Sequence, residues 1–517
     1  MKNGAIALFL LAMVFFSGCG AKELFAEWEE DWVAFEQTSL QAASEEESEE
    51  VIPKELLDAD SLTKYNAEEQ GLIRPYELQQ SEHDSPRVDW AYAAFKVIEA
   101  GLIKQGEEKK DTLDLSEGNY IYYAINTEED YLANTEDDIM YLSSPYKMSI
   151  AEPFYQSFNG YSNMFIGMDG RGIVSEADAP FEEGNRDEII SSVGGLMIGE
   201  SEGSIKRENS DWIITGYSCI DPTDIELVKE AILEKGALQI EYEFSMFGYD
   251  KGSYYTKYTD GVLTRNAVLI GWDDHYSKAN FKEGMQPKKD GAWLVYDCMG
   301  ARLGSDGYIW VSYENAGNLS VISYDVAPRS RYGTVFSHST DGYNMMIKAD
   351  AEAYTTVANI FENEEDEEIS AVGIYTLVPG QQVEIEVYTN VFEGNPTSGI
   401  PAATMSITAD KKGYMVYDLE NTVSVGGGDA FSVVLKYLND EQDKWSGSLG
   451  SVPVEGPAFD FTMDVQFNFH YTSSEGQSYA MRNGNWYDLS EESSAEQFGE
   501  SEVLNNVFMK VLTKRKG

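Results

Sequence analysis

The order in which helical and strand patterns follow one another limits what this 517-residue chain can fold into. A helix is expected to begin near Asp89, because the apolar residues that follow share one helical face: Ala93, Ala94, Val97, Ile98 and Leu102. A second helix is expected around residues 224–235. Strand patterns come later, at 238–244, 268–271, 293–296 and 308–312. Helices first and strands far downstream predict an α+β domain with two lobes, at residues 72–326.

The C-terminal part of the chain shows strand patterns with little helical signal. Short β-rich runs are expected at 371–377, 382–389, 413–418, 431–438 and 506–512. Turn-rich breaks separate them, at Asn395-Pro396-Thr397-Ser398-Gly399 and Gly426-Gly427-Gly428-Asp429. This alternation predicts an all-β sandwich at residues 334–512.

Three strips of the first domain carry most of the information about function. They read Arg87-Val88-Asp89-Trp90-Ala91-Tyr92-Ala93, Arg265-Asn266-Ala267-Val268-Leu269-Ile270-Gly271-Trp272-Asp273-Asp274, and Gly291-Ala292-Trp293-Leu294-Val295-Tyr296-Asp297-Cys298-Met299-Gly300. In order, they resemble the three catalytic strips of papain-like cysteine peptidases. Further matches in the right order are Asp114-Leu115-Ser116-Glu117, Ile173-Val174-Ser175-Glu176-Ala177-Asp178-Ala179-Pro180-Phe181 and Ser305-Asp306-Gly307-Tyr308-Ile309-Trp310. The resemblance implies a papain-like domain with a cleft between its lobes.

The second domain resembles the lectin-like β-domain that follows such peptidases in surface proteins of anaerobic Gram-positive bacteria. The matching runs are Asn395-Pro396-Thr397-Ser398-Gly399, Phe431-Ser432-Val433-Val434-Leu435-Lys436, Gly476-Gln477-Ser478-Tyr479 and Asn485-Trp486-Tyr487-Asp488-Leu489. The term lectin-like describes a fold, and sugar binding does not follow from it.

Each papain-like strip lacks its catalytic residue. The resemblance places the nucleophilic Cys at Asp89, the catalytic His at Asn266 and the orienting Asn at Asp297. A carboxylate at a helix start caps backbone amides and is a weak nucleophile toward peptide bonds. An Asn side chain cannot shuttle a proton near neutral pH as His does. The sequence therefore predicts that the peptidase chemistry is lost.

Other cleft positions also depart from the family. Trp90 follows the substituted nucleophile, and His83 lies where the family has its oxyanion Gln, with Gln79 and Gln80 as alternatives. Gly160 and Tyr161 fall where the family often has two glycines, so Tyr161 would crowd a bound peptide.

No metal or cofactor is predicted for the emptied centre. The oxygens of Asp89, Asp297 and Asn266 suit a hard cation such as calcium, but three ligands are too few by themselves. We therefore expect a hydrogen-bonded polar cluster there, and no metal motif or phosphate loop occurs elsewhere.

The N-terminus reads as an export signal at residues 1–19. Lys2 precedes an apolar run at 5–16 that is too short to span a bilayer comfortably. Phe16-Ser17-Gly18-Cys19 resembles a bacterial lipobox, which implies that Cys19 is lipidated; the alternative is an ordinary cleaved signal. Residues 20–71 form an acidic leader or stalk that contains Glu45-Glu46-Glu47-Ser48-Glu49-Glu50. We expect a protein anchored by lipid on the extracellular face of the cell membrane.

The net charge limits which macromolecules the protein is expected to bind, and the cysteine count limits the possible disulfides. A net charge of −53 repels phosphate backbones, so nucleic acid is not an expected partner. The two remaining cysteines, Cys219 and Cys298, can pair or both stay free.

These observations predict an inactive cell-surface homologue of papain-like cysteine peptidases that binds a peptide or glycan in its cleft. Two alternatives stay open: an active hydrolase that uses the cleft carboxylates Asp89 and Asp297, and a structural or adhesive envelope protein.

Overall fold

A computed structural model describes the chain at residues 62–74, 89–117, 126–127, 141–143, 172–178, 210–245, 247–258, 264–297, 307–338, 345–349, 352–392, 394–439, 449–455, 459–462, 466–469, 473–500 and 503–515. The expected sites at Cys19, His83, Gly160 and Tyr161, and the thiol of Cys298, lie outside these residues. Cys219 is a free cysteine.

Both helices that the sequence predicts for the first domain are confirmed. The α-helices are α1 (Asp89–Gln105), α2 (Ile225–Lys235) and α3 (Glu492–Gln497), with 3-10 turns at Lys278–Asn280 and Arg329–Arg331. Helix α2 begins where the Asp224 carboxylate accepts a hydrogen bond from Leu227 N at 3.2 Å. It ends at Gly236, whose φ of +95° suits glycine. Among the described residues, no helix is long and apolar enough to cross a membrane.

The strands of the first domain follow the expected order. They are β1 (Lys64–Asn66), β2 (Asn126–Thr127), β3 (Tyr141–Ser143), β4 (Gly172–Ile173), β5 (Trp212–Ile220), β6 (Leu238–Glu243), β7 (Tyr249–Asp250), β8 (Ser253–Tyr254), β9 (Thr264–Asp273), β10 (Ala292–Tyr296), β11 (Tyr308–Ser312) and β12 (Asn318–Pro328). The four strands predicted there correspond to β6, β9, β10 and β11.

The second domain is almost entirely β. Its strands are β13 (Tyr332–Phe336), β14 (Met345–Ile347), β15 (Tyr354–Glu362), β16 (Glu367–Thr376), β17 (Gln382–Thr389), β18 (Ile400–Thr408), β19 (Lys412–Val425), β20 (Ala430–Leu438), β21 (Val452–Val454), β22 (Phe459–Thr462), β23 (Gln466–Phe469), β24 (Ser478–Arg482), β25 (Asn485–Asp488) and β26 (Met509–Lys514). The five strands predicted there correspond to β16, β17, β19, β20 and β26.

One sheet of fourteen strands runs through both domains. Its order is β13-β26-β16-β19-β5-β12-β6-β9-β10-β11-β8-β7, with β1 added to β9 and β4 to β5. Helix α1 packs against β9 and β12 of this sheet. For the first domain, the described residues thus show a large sheet with two helices, which is part of the expected α+β arrangement.

The first domain extends N-terminal to the expected boundary at Leu72. Strand β1 pairs with β9, and the Tyr65 ring stacks on Trp272 at 5.2 Å. The Trp272 indole also donates a hydrogen bond to the backbone oxygen of Leu62 at 3.1 Å. Residues just before 72 therefore belong to the core rather than to the acidic stalk, because aromatic packing outweighs the polar composition around them.

Two segments that resemble papain-like motifs lie around Leu115 and Val174, and the first of them contacts helix α1. They pair with each other, since Ser116 N donates to the oxygen of Val174 at 3.0 Å and Glu176 N to that of Asp114 at 2.8 Å. The Glu99 carboxylate of α1 accepts from Leu115 N at 3.1 Å and ties the helix to this pair.

The second domain is a β-sandwich. One layer is β13-β26-β16-β19, the end of the long sheet, and the other is the six-stranded sheet β18-β17-β20-β15-β24-β25. Apolar side chains from both layers share one buried core, among them Ile385, Leu435, Val372 and Val511. Strands β15, β16 and β20 are buried along most of their length, whereas β17 alternates between core and outer face.

Candidate functional site: an emptied catalytic centre

Asp89 is the first residue of α1, and it is buried. One carboxylate oxygen, Oδ1, accepts a hydrogen bond from Trp90 N at 3.1 Å. The other, Oδ2, accepts from Asn266 N at 3.0 Å. The carboxylate therefore binds the start of α1 to strand β9, at the position where the sequence resemblance places a nucleophilic Cys.

Asn266 is fully buried on β9 and belongs to a chain of amide contacts. Its side-chain oxygen accepts from Gln239 Nε2 at 2.7 Å. The oxygen of Gln239 in turn accepts from the Tyr324 hydroxyl at 2.8 Å. Asn266 Nδ2 has no hydrogen-bond partner within the described parts of the chain.

Asp297 follows β10 and is fully buried in an ion pair with Arg265. The Arg265 guanidinium donates from Nε to Asp297 Oδ2 at 2.8 Å and from Nη2 to Oδ1, so the pair is bidentate. The Tyr242 hydroxyl also donates to Oδ2, at 3.2 Å. On its other side, the guanidinium lies 5.3 Å from the centre of the Phe244 ring.

The protonation of this group follows from burial and charge. Burial by itself would lower the pKa of Arg265, but the attraction of Asp297 outweighs it and the pKa rises, so Arg265 stays charged. Burial and the Asp297 carboxylate together raise the pKa of Tyr242 well above its usual value. Tyr242 therefore acts as a neutral donor.

The side chains of Arg265 and Asn266, neighbours on β9, belong to two different hydrogen-bond networks. Neighbouring residues of a strand point to opposite sides. Arg265 pairs in register with Tyr242, and both join Asp297. The Asn266 side chain joins Gln239 instead. Asp89 accepts from the backbone N of Asn266, and its charge also acts on Arg265. Arg265 thus holds the side chain of Asp297. In a catalytic triad, that side chain would instead orient the residue at position 266.

This geometry also disfavours the calcium site weighed from the sequence. The Asn266 oxygen is taken by Gln239, and the Asp297 charge is balanced by Arg265. Within the described residues, no group of three potential metal ligands occurs.

Sequence reasoning missed Arg265, Gln239 and Tyr242. A signal was present for all three. Strand β6 is buried along its whole length yet carries polar residues, and a polar residue in a buried strand needs a partner. For Arg265, the signal is a charged residue directly before Asn266, the substituted His position. Its partner, Asp297, is distant in sequence. Trp90, expected to line the cleft, is a buried core residue.

A second buried charged group lies beside α1. Lys96 donates to the Glu99 carboxylate at 2.8 Å, and both side chains are almost fully buried. Burial raises the pKa of nearby Glu117 to about 8; Lys96 opposes this rise, whereas the charges of Glu99 and Glu176 add to it. Glu117 is therefore protonated at neutral pH.

Comparison with known proteins agrees with this architecture. Residues 335–499 match the family model described as the lectin like domain. The chain is similar to a solved structure of the clostridial cysteine protease Cwp84 after propeptide cleavage, with a TM-score of 0.64 and 21% identity over 88% of this chain and 100% of that one.

A second structure contains the cysteine protease and lectin-like domains of Cwp84, described as a surface layer associated protein of Clostridium difficile. Its TM-score is 0.61, with 21% identity over 88% of this chain and 89% of that one. Among curated proteins, no sequence matches this chain. The chain thus has the fold of a papain-like cysteine peptidase followed by a lectin-like domain.

Proposed function

We propose that this protein is a lipid-anchored cell-surface protein whose papain-like domain binds a peptide or glycan without cleaving it. The observation that carries the proposal is that the residues at the three expected catalytic positions are engaged in buried hydrogen bonds and an ion pair. Asp89 holds backbone amides, Asn266 holds Gln239, and Asp297 holds Arg265.

None of these groups supports acyl transfer. A cysteine peptidase needs a thiolate, a base that makes it and a group that orients the base. Here the first position is a carboxylate, the second does not titrate, and the third faces an arginine. Loss of a triad nucleophile or base lowers kcat by about six orders of magnitude in a serine protease.

The alternative of a carboxylate hydrolase is also disfavoured. A general acid or nucleophile must be able to approach the substrate. Both oxygens of Asp89 accept backbone N–H groups, and both oxygens of Asp297 accept from Arg265. Using either carboxylate would break buried contacts.

The unpaired amide of Asn266 favours a binding role over a purely structural one. A buried donor without an acceptor costs roughly 1–3 kcal/mol. Asn266 Nδ2 is such a donor within the described residues, and the backbone N of the same residue donates to Asp89 at the start of α1. A peptide carbonyl or a sugar oxygen that reached this buried donor would supply the acceptor.

The expected location has two supports. The similar structure is of a surface layer associated protein. The sequence Phe16-Ser17-Gly18-Cys19 resembles a lipobox, which provides an anchor at Cys19.

The test is to incubate the purified chain with peptide and glycan libraries and a thiol-directed peptidase probe. We expect no cleavage, no cleft labelling, and retention of a subset of ligands. Asn266→Asp removes the amide donor and should weaken that retention. Asn315→Asp is the matched control, because Asn315 is another buried amide of the same domain whose Nδ2 donates to Asn318 at 2.8 Å.

Three outcomes separate the functions. Loss of retention in Asn266→Asp alone supports the binding role. Turnover that disappears in Asp89→Ala would support the hydrolase instead. A chain that retains nothing from either library would point to a structural envelope protein.

A further inference from the structure

The two domains are joined by a hydrogen-bonded strand pair. Domains within one chain usually move relative to each other unless their interface is large and apolar. Here β5 of the papain-like domain and β19 of the lectin-like domain are antiparallel neighbours in one sheet. The register pairs Lys412 with Cys219, Gly413 with Ser218, Tyr414 with Tyr217 and Met415 with Gly216.

Glycine is required where the two strands approach. Gly413 has a φ of +145°, which side-chain-bearing residues rarely adopt. A Cβ on Gly413 would lie 1.9 Å from the backbone oxygen of Tyr217 in the other domain. Even alanine at this position would push β19 away from β5.

Aromatic side chains of both domains form one core at this pairing. Tyr217 and Tyr324 come from the papain-like domain, and their rings meet edge to face at 5.8 Å. They belong to the same buried cluster as Tyr375, Tyr414 and Phe508 of the lectin-like domain. Phe508 lies 6.1 Å from the Tyr375 ring and 5.9 Å from the Tyr414 ring. We call the β5–β19 pair and these five aromatic residues the seam.

Other contacts between described residues also join the domains outside the seam, among them a buried apolar cluster in which Ile213 meets Ala371 and Leu512. Lys411 Nζ, just before β19, lies 3.8 Å from the Glu234 carboxylate of α2. A separate four-stranded sheet, β2-β3-β23-β22, also mixes the domains, because β3 pairs with β23.

The seam continues into the emptied catalytic centre. Tyr217, on the strand that β19 covers, packs on Tyr324. The Tyr324 hydroxyl donates to Gln239, and Gln239 donates to Asn266. Asn266 N then donates to Asp89. Packed side chains and hydrogen bonds thus connect β19 to the start of α1.

We propose that the two domains unfold as one cooperative unit. Strand β19 of the lectin-like domain is the partner that the edge of β5 in the papain-like domain requires. The seam also holds Asn266 against Asp89. This inference concerns the fold of the intact chain and does not depend on what the cleft binds.

The test is hydrogen exchange of the intact chain through a urea titration, followed by mass spectrometry. Peptides from β9 and α1 report on the papain-like domain, and peptides from β15 and β20 on the lectin-like domain. We expect all four to lose protection in one transition. Two separate transitions in the unmodified chain would overturn the proposal without any variant.

The diagnostic variant is Gly413→Ala, and Gly428→Ala is its matched control. Gly428 also has a positive φ, of +87°, but a Cβ there would meet no atom within 4 Å. Gly413→Ala should separate the transitions and speed exchange of the Asn266 amide about tenfold or more under native conditions. Gly428→Ala should leave both unchanged.

A milder variant covers the case in which Gly413→Ala does not fold. Phe508→Leu keeps the strand pairing and trims the shared aromatic core. It should lower the protection of β5 and β9 in the other domain as well as that of β26. Effects confined to the lectin-like domain would contradict the proposal.

Discussion

Replacing Asp297 by asparagine should destabilise the protein, although asparagine is the residue that the resemblance to papain-like peptidases places there. Asp297→Asn keeps the shape of the side chain and one oxygen acceptor. It removes the negative charge that faces Arg265. The guanidinium would then remain buried, against the Phe244 ring, without the carboxylate that pairs with it directly.

The size of the expected loss in the free energy of unfolding follows from the burial of the ion pair. Asp297 is 0% exposed and the Arg265 side chain 11%, so little solvent screens the pair. Breaking a buried ion pair from one side typically costs about 3–5 kcal/mol, because one charge is left uncompensated. Since asparagine retains one acceptor, we expect a loss near 3 kcal/mol in the free energy of unfolding. The double change Arg265→Met with Asp297→Leu should recover most of it, because apolar replacements of buried pairs are often close to neutral.

The assay is urea denaturation of Asp297→Asn, Arg265→Met, Asp297→Leu and the double variant, and the last three are read with the unmodified chain as a double-mutant cycle. Asp418→Asn is the control, because Asp418 pairs with Arg331 through the same chemistry at 55% and 53% exposure. That change should cost no more than about 1 kcal/mol. The reasoning is refuted if Asp297→Asn costs as little as the control, or if the double variant is as unstable as the single one.

Three further predictions concern pH, thiol reactivity and the anchor. The pKa of Glu117 is raised from 4.5 to about 8 by burial, so its contribution to stability is full below pH 4.5 and is lost as pH rises through 8. The free energy of unfolding should fall by up to about 1.4 kcal/mol per pH unit in that window, and Glu117→Gln should flatten the urea midpoint measured against pH. Asp89→Cys should gain no labelling by peptidase-directed thiol probes beyond that of the unmodified chain, because Asn266 cannot accept the thiol proton; strong cleft labelling, located by peptide mapping, would contradict this. Cys19→Ala should abolish lipid attachment, measured by mass and by lipid labelling, and an unchanged result would count against the anchor.

The sequence predicts those features that local patterns or short motifs encode. The strands at 308–312 and 382–389 occur with the expected bounds, because alternating side chains and flanking turns define them locally. The start of α1 at Asp89 follows likewise from the apolar face that begins after it. The papain-like strips occur in the order typical of the family. This order predicts the fold because each strip keeps the local pattern of its helix or strand.

Partner choice between distant residues could not be predicted in the same way. The sequence shows Arg265 next to Asn266. The register of β9 with β6 is needed to show that the Arg265 side chain points toward Tyr242 and Asp297. The pairing of β5 with β19 joins residues far apart in the chain, and each strand by itself is compatible with other neighbours. Gly413 was a local clue, but its close approach to Tyr217 appears only in three dimensions.

The ion pair between Arg265 and Asp297 also bears on how this lineage can change. Natural proteins have only a few kcal/mol of stability to lose before folding fails. Regaining a triad one residue at a time would pass through a chain with a buried unpaired arginine, or one in which Asn266 N has lost its carboxylate acceptor. Each intermediate is expected to be less stable than the present chain, so selection for stability opposes it. Arg265 would have to be replaced first, although that change by itself leaves Asp297 without its ion-pair partner. On the function proposed above, the loss of catalysis would therefore act as a one-way step in the evolution of this fold.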